Sequence, residues 1–232
     1  MFYKDPGQVY RVPELDALGW LIHGFGTRHA DIPARFPGLA TLKQAHSPAC
    51  IAAGGRSGVL GPGDALLENV PGAVVAVRTA DCVPLLLVDE RLRAVAAVHA
   101  GWRGTVARIA ERAVEAMRER FGSQPSDLHA AIGPAIGPCC YEVGPEVAAR
   151  FGGRGRGPVD LPAANRRQLI EAGVTPARIY ASNLCAMCLP EDFHSFRRDG
   201  EAAGRMYSFA GVGRAIVSCG LPSGATDADG EK

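Results

Sequence analysis

Two histidines and one cysteine of this chain stand where polar turns meet apolar runs, and together they could hold a metal ion. They are His46 in Lys43-Gln44-Ala45-His46, Cys82 after Ala80-Asp81, and His99 before Ala100-Gly101-Trp102. Two imidazoles and one thiolate form a three-ligand set for Zn²⁺ that leaves its fourth position open to water or substrate. Structural zinc sites are usually closed by four protein ligands, so an open set is typical of catalysis. The residue types therefore predict an enzyme.

Each member of this trio also has an ordinary interpretation. A cysteine at a junction between apolar runs is often a small buried residue, and a histidine in a polar stretch is often a lone surface side chain. Asp81, next to Cys82, is a candidate to orient an imidazole or to accept a proton. The three ligands are spread over 54 positions. Spacing alone leaves both interpretations open, because the set is not a local metal motif.

A candidate anion site follows His99 in Gly101-Trp102-Arg103-Gly104. The two glycines permit a tight turn, and the unpaired N–H groups at a helix start favour negative charge. With Thr105 as N-cap, the first-turn amides and the Arg103 guanidinium would face the same space as His99. The alternative is an ordinary strand-to-helix turn with Arg103 in a surface ion pair.

The seven cysteines are an odd number in a chain without a secretory signal, which predicts reduced thiols and not a disulfide framework. Cys185-Ala186-Met187-Cys188 has the CxxC spacing of half a zinc ribbon or of a redox pair. No second CxxC matches it, and the vicinal pair Cys139-Cys140 is a poor geometry for either role. We therefore do not expect a structural zinc at these cysteines.

Two further segments are candidates to border a pocket. The stretch from Gly133 to Gly144 is rich in Gly and Pro for so apolar a sequence, which predicts a rigid loop that lines a pocket or a plain connector. Arg197-Arg198-Asp199, beside His194, would supply phosphate contacts or form a solvated charge cluster.

The elements that must position these residues are strands and helices in alternation. Short continuous apolar runs at 73–77, 83–88 and 94–98 are typical of strands buried on both faces, and 128–132, 178–181 and 214–217 are further strand candidates. Helical spacing predicts a helix over 105–121 and shorter ones over 146–151 and 163–172. Buried sheet covered by helices, in one layered α/β-type domain, is the simplest arrangement.

Composition excludes several classes of protein. The chain has 232 residues, 47% of them hydrophobic and 21% charged, which is typical of a globular protein. A net charge of +1, from 25 Lys+Arg and 24 Asp+Glu, argues against a nucleic-acid partner. No apolar run approaches the length of a membrane span and the start lacks the layout of a signal peptide, so we expect a cytoplasmic protein without a membrane partner.

Six segments in order jointly resemble the laccase-domain family, once labelled multicopper polyphenol oxidases and now regarded as purine nucleoside phosphorylases. These segments are His23-Gly24-Phe25-Gly26-Thr27-Arg28, Lys43-Gln44-Ala45-His46, Thr79-Ala80-Asp81-Cys82-Val83-Pro84, Val98-His99-Ala100-Gly101-Trp102-Arg103-Gly104-Thr105, Ile132-Gly133-Pro134-Ala135-Ile136-Gly137 with Cys140-Tyr141-Glu142-Val143-Gly144, and Ser195-Phe196-Arg197-Arg198-Asp199-Gly200. The resemblance implies an α+β or α/β protein with a single-domain α-β-β-α layered sandwich, similar in fold to bacterial cysteine deamidases. On this basis we expect one domain over 1–219 and a disordered tail over 220–232.

The resemblance also implies zinc held by His46, Cys82 and His99. It implies phosphorolysis of adenosine, inosine, guanosine and methylthioadenosine, with hydrolytic deamination of adenosine. We expect Cys82, His99, Asp81 and Arg103 to be catalytic, and a monomer or small homo-oligomer. Substrate and phosphate contacts are expected from Arg28, Lys43, Gln44, Arg103 and Gly104.

Other functions remain open at this point. A metal-free hydrolase would use Cys82 as thiolate nucleophile and His99 as base. Some bacterial relatives are credited with editing peptidoglycan precursors, and a non-catalytic sensor would bind metal or nucleotide without turnover. A copper-dependent polyphenol oxidase fits poorly, because several coppers need many histidines and the chain has six. One His₂Cys site could bind a single copper in vitro.

Overall fold

The computed structural model describes residues 1–214, and these form two stacked β-sheets with helices on their outer faces. The strands are β1 (Tyr3–Lys4), β2 (Val9–Arg11), β3 (Leu21–Gly26), β4 (Ala40–Lys43), β5 (Cys50–Ala52), β6 (Gly58–Pro62), β7 (Ala65–Glu68), β8 (Val74–Thr79), β9 (Val83–Asp89), β10 (Ala94–Ala100), β11 (Leu128–Ile132), β12 (Glu142–Val143), β13 (Gly157–Pro158), β14 (Ile179–Ala181) and β15 (Met206–Val212). The helices are α1 (Pro13–Asp16), α2 (Ile32–Arg35), α3 (Trp102–Val106), α4 (Ile109–Phe121), α5 (Pro145–Ala148), α6 (Leu161–Glu171) and α7 (Phe196–Asp199).

The first sheet has seven strands in the order β1-β2-β3-β15-β8-β4-β6, and the second has six in the order β14-β11-β9-β10-β7-β5. Both are mixed: β4 runs parallel to β6 and β8, while β9 and β10 form an antiparallel pair. β12 and β13 form a separate two-stranded ribbon. The predicted α-β-β-α sandwich is thereby confirmed.

Alternate residues of β9 and β10 are buried on opposite faces, as the continuous apolar runs predict. Leu85, Leu87, Ala96 and Val98 pack with helices such as α4 and α6. Leu86, Val88, Val95 and Ala97 pack with residues of the first sheet, including Val75 and Val77. On the outer face of the first sheet, Ile32 of α2 packs on Val74, Ala76 and Phe209.

The helix predicted over 105–121 is two helices. α3 ends at Val106 and α4 begins at Ile109, because Arg108 between them has a left-handed φ of 61°. The prediction of Thr105 as N-cap is wrong, since Gly101 is the N-cap of α3. The Thr105 hydroxyl instead accepts a hydrogen bond from Asn165 Nδ2 of α6 at 3.0 Å.

At the carboxyl end, the structure has a strand that the sequence pattern missed, β15 at Met206–Val212. The strand predicted at 214–217 is not seen at Arg214, and residues 215–217 lie outside the described part of the chain, as does the predicted tail. In residues 1–214 no helix has both the length and the apolar composition that a membrane crossing requires.

Candidate active site

Strand pairing brings His99, Cys82 and a buried carboxylate, Asp64, to one end of the second sheet. In the β9–β10 register His99 lies opposite Pro84 and Ala100 opposite Val83, so His99 is two residues from Cys82. β10 also pairs with β7, where Val98 is opposite Ala65. Because Asp64 directly precedes Ala65, the register sets it beside His99.

Asp64 also fixes the third member of the trio. Its side chain is fully buried and accepts hydrogen bonds from the backbone N–H groups of Ala45, His46 and Ser47 at 3.2, 3.1 and 2.7 Å. The same carboxylate bonds His99 Nδ1 at 2.8 Å. One carboxylate therefore orients the His99 ring and holds the turn that carries His46.

The ligand atoms of His46, Cys82 and His99 all lie within 4.8 Å of one another. The two imidazole rings meet edge to face, with centroids 4.9 Å apart. A Cβ on Gly101 would lie 2.8 Å from His46 Cδ2 and 3.0 Å from Cys82 Sγ, so only glycine leaves room for the cluster at this position. The soft thiolate and two imidazoles fit Zn²⁺.

The charges of the cluster favour an ionised thiol. Burial raises the pKa of Cys82, but hydrogen bonds and positive charge from His46 and His99 outweigh it and lower the pKa to about 6. Burial likewise lowers the pKa of His99, but hydrogen bonds to Asp64 and Cys82 raise it to about 9. Asp64 is kept ionised by its donors, which outweigh burial and lower its pKa to about 2.

The cluster opens into a cavity of about 770 Å³. Its walls include the aromatic side chains of Trp102, Tyr141 and Phe196 and the arginines Arg78, Arg197 and Arg205. The guanidinium carbon of Arg197 lies over the Tyr141 ring, 5.2 Å from its centroid, and Nη1 of the same group donates to Glu142 O. Aromatic faces and guanidinium groups are suited to a planar base and an anion.

Asp81 lines the same cavity and is 8% exposed. Its Oδ2 accepts the N–H of Arg197 at 2.6 Å, while Oδ1 is buried and has no protein partner among residues 1–214. The backbone at Asp81 has a positive φ of 84°, a strained conformation for a residue with a side chain. Asp64, and not Asp81, bonds the His99 ring.

The structure brings five of the predicted site residues into this cavity: Gln44, His46, Asp81, Cys82 and His99. Gln44 is engaged with backbone, since its amide group donates to Arg78 O and accepts from Arg78 N at 2.7 and 2.8 Å.

Arg28, Lys43, Arg103 and Gly104 do not line the cavity. Arg28 Nη1 donates to Pro190 O, whereas the Arg103 guanidinium lies 4.3 Å above the ring of Trp102, a wall residue. α3 has five residues. The long helix, whose start is the predicted anion site, therefore does not begin after Gly101; it begins at Ile109.

Sequence reasoning missed Asp64 and the wall residues Arg78 and Arg205. Asp64 stands between Gly63 and the apolar strand Ala65-Leu66-Leu67. A carboxylate directly before a buried strand was the sequence signal that could have indicated it. The predicted loop 133–144 does border pockets: Tyr141 lines this cavity, and Gly133 and Cys139 line another.

The chain belongs to the family described as multi-copper polyphenol oxidoreductase laccase, whose model matches residues 28–213. This stretch contains the whole cluster and its cavity.

Among curated proteins, the chain is 43% identical over 162 residues to a purine nucleoside phosphorylase of Deinococcus radiodurans, covering 66% of this chain and 62% of that one. It is 43% identical over 165 residues to adenosine deaminase RL5 from an unknown prokaryotic organism, covering 65% and 62%. A purine nucleoside phosphorylase of Clostridium acetobutylicum is 38% identical over 178 residues, covering 72% and 74%. The match thus spans less than two thirds of the length of the first two relatives.

Solved structures agree with the fold along nearly the whole chain. YlmD of Geobacillus stearothermophilus superposes with a TM-score of 0.82 at 29% identity, covering 92% of this chain and 99% of that chain. A Bacillus licheniformis protein, YfiH, also has a TM-score of 0.82, at 27% identity and 91% and 98% coverage. The first curated relatives carry the names of enzymes, a phosphorylase and a deaminase.

Proposed function

We propose that this protein is a zinc-dependent purine nucleoside phosphorylase acting on adenosine, inosine, guanosine and methylthioadenosine, with an adenosine deaminase activity. The observation that carries the proposal is one cavity in which His46, Cys82 and His99 meet aromatic walls and several arginines. The names of the relatives support the same reaction class.

The purine base binds between aromatic side chains in this proposal. Trp102, Tyr141 and Phe196 offer ring faces on the cavity wall. Stacking on such faces tolerates different purines, because every base has a π-face. Burial raises the pKa of the Tyr141 phenol, so its hydroxyl stays protonated and can donate to the base at neutral pH.

Phosphate binds to the arginines of the wall. Arg78, Arg197 and Arg205 give the cavity three guanidinium groups against one carboxylate, Asp81, and a planar guanidinium holds phosphate through two hydrogen bonds. Arg103 does not line the cavity and supports its wall only through Trp102, over whose ring its guanidinium lies.

In the reaction, the C1′–N9 bond breaks with its electron pair going to the base. A phosphate oxygen forms the new bond to C1′, and one proton reaches the purine ring. We assign Asp81 Oδ1 to carry this proton from the hydrogen phosphate to the base, because the atom is buried, belongs to a residue of the cavity wall and lacks another protein partner in the described chain. His46, Cys82 and His99 would hold the zinc ion, which would supply a Lewis acid at this end of the cavity.

The test uses purified protein of measured zinc content, incubated with adenosine in the presence and absence of phosphate, with products identified by mass spectrometry. Adenine and ribose-1-phosphate formed only with phosphate are the expected products, and His99→Ala should abolish them. Inosine formed without phosphate is the expected sign of deamination. No product from zinc-loaded protein would overturn the proposal for nucleosides and direct attention to muramyl precursors.

One observation favours a second candidate, a metal-free cysteine hydrolase. Cys82, with its pKa lowered to about 6, meets His99, and His99 Nδ1 is bonded to the buried carboxylate of Asp64 at 2.8 Å. Nucleophile, base and orienting acid are the parts of a catalytic triad. Activity that survives chelation and is lost on alkylation of Cys82 would establish this candidate instead.

A further inference from the structure

A second cluster, separate in its residues from the trio, consists of the thiols of Cys139, Cys140, Cys185 and Cys188. The four sulfur atoms all lie within 4.8 Å of one another. Sγ of Cys188 is 3.3 Å from that of Cys140 and 3.8 Å from that of Cys139. The vicinal pair and the CxxC pair, which the sequence could not connect, therefore form one group.

Two tight turns hold the thiols in this arrangement. Gly137 O accepts the N–H groups of Cys140 and Tyr141, both at 3.0 Å, which turns the chain so that both vicinal side chains reach the cluster. The second turn carries Cys185 and Cys188. Its chain lies beside the first segment, because Ala135 N donates to Leu184 O and Ala186 N donates to Ala135 O. An isolated parallel β-bridge between Ala135 and Cys185 thus brings the two cysteine-bearing segments side by side.

The sulfur separations match a tetrahedral metal centre. A Zn–S bond of about 2.3 Å puts the sulfur atoms of a Cys₄ site about 3.8 Å apart. The 3.8 Å separation equals that edge length and the 3.3 Å separation is about 0.5 Å shorter, whereas a disulfide would bring one pair to about 2.05 Å and leave two thiols over.

Donors around the sulfurs suit thiolates. The N–H of Gly137 points at Cys185 Sγ, 3.3 Å away. Such outer donors stabilise the charge of a ligating sulfur. Cys139 and Cys188 are exposed, so hydrophobic burial does not explain why four thiols converge here.

We propose that Cys139, Cys140, Cys185 and Cys188 bind a structural Zn²⁺, with all four positions closed by protein. The ion clamps the loop that carries Tyr141 to the segment that leads into α7, where Phe196 and Arg197 stand. Both segments are walls of the active-site cavity. The cluster contains no histidine and leaves no position for water, so it stiffens the cavity and takes no part in the reaction.

The first test counts zinc in full-length protein purified under reducing conditions. We expect two ions per chain in the wild type and one in Cys185→Ser/Cys188→Ser. The matched control is Cys50→Ser, which removes a cysteine outside both clusters and should retain two ions. A wild type with one ion, lost on Cys82→Ser alone, would overturn the proposal.

A second measurement does not depend on the folding of Cys185→Ser/Cys188→Ser. His46→Asn/Cys82→Ser removes two ligands of the trio and leaves the four-cysteine cluster intact. Its zinc X-ray absorption should show four sulfur neighbours at about 2.3 Å. A mixed nitrogen and sulfur shell, no bound zinc, or a Cys140–Cys188 disulfide in a non-reducing peptide map would each contradict a Cys₄ site. Because this variant needs no activity, the result is independent of the proposed phosphorylase reaction.

Discussion

At the scale of single residues, Asp64 connects ligands that are far apart in sequence. It touches His99 through its side chain and the backbone beside His46 through three N–H groups, and it is wholly buried. Carboxylates behind metal-binding histidines fix the tautomer and the ring orientation. The His99 nitrogen that faces the cluster is therefore Nε2, since Nδ1 faces Asp64.

Replacing Asp64 by asparagine should weaken zinc binding at the trio about 10- to 100-fold, because Asn has one acceptor oxygen where the site uses two. The measurement is a competitive zinc titration with a chromophoric chelator. Asp89→Asn is the control, since Asp89 is equally buried in the same sheet but bonds the N–H groups of Arg91 and Leu92. Equal zinc affinity in the two variants would contradict the role of Asp64.

Gly101→Ala should reduce turnover about 100-fold while the fold persists, because its methyl group would displace His46 and Cys82. Backbone strain is not the cause, since φ at Gly101 is −70°. Initial rates and the melting temperature are measured together. Gly19→Ala, where a Cβ meets nothing within 4 Å, is the matched control and should keep both. Full activity in Gly101→Ala would show that the cluster tolerates a shift.

The sequence singled out the three proposed ligands by residue type and by resemblance to a family, while their spacing left other interpretations open. It was not sufficient for Asp64 or for the four-cysteine cluster. Asp64 depends on which strand lies beside β10, and that register is a tertiary fact. The cysteine pairs meet only because two irregular segments bridge at Ala135 and Cys185, which no local spacing encodes.

At the scale of elements, α6 holds α3 in place through polar contacts. Asn165 Nδ2 donates to Thr105 Oγ1 and to Leu161 O at 3.0 and 2.9 Å, and Gln168 Nε2 donates to Thr105 O at 2.7 Å. α3 has only five residues and carries Trp102 on the cavity wall. Such a short helix needs tertiary support, because a single turn is not stable alone.

Asn165→Ala should lower the free energy of unfolding by about 1–3 kcal/mol, because two buried acceptors lose their donor. Urea denaturation gives this value. Arg167→Ala, an exposed substitution on the same helix, should change it by less than about 0.5 kcal/mol. A cost for Asn165→Ala no larger than that of Arg167→Ala would mean that α3 is held by packing alone.

The elements were largely predictable where apolar runs were long, as for β9, β10 and β11. The break between α3 and α4 was not, because the amphipathic pattern continues across Arg108 and only its left-handed φ interrupts the helix. β15 was missed because Met206-Tyr207-Ser208-Phe209-Ala210-Gly211-Val212 mixes polar and small residues in a strand between two others. Its burial follows from sheet position and not from its own pattern.

At the scale of the whole molecule, one buried histidine links stability to pH. His23 on β3 is fully buried, accepts the N–H of Val12 at Nε2, and leaves Nδ1 3.9 Å from Asp16. Burial and the nearby Arg11 lower its pKa to about 4, against the pull of Asp16. Between pH 6.5 and 4 the unfolded chain therefore binds a proton at this position and the native protein does not. Stability is lost as pH falls through that window.

Because the pKa of His23 is about 4 in the native protein and 6.5 in the unfolded chain, this residue should lower the free energy of unfolding by about 2 kcal/mol at pH 5 relative to pH 7.5. Chemical denaturation at both pH values, for wild type and His23→Gln, isolates the contribution. Glutamine does not titrate, so the variant should show the smaller loss. An identical loss in both proteins would assign the pH dependence to other groups.

In the proposed reaction, the cavity around His46, Cys82 and His99 transfers a sugar from a purine to phosphate. The most direct measurement supplies adenosine with phosphate labelled by ¹⁸O at every oxygen and weighs the sugar product. We expect ribose-1-phosphate that keeps all of the label, because a phosphate oxygen attacks C1′ and no P–O bond breaks, and we expect none from His99→Asn. Unphosphorylated ribose, or an undiminished product in His99→Asn, would contradict the proposed phosphorolysis.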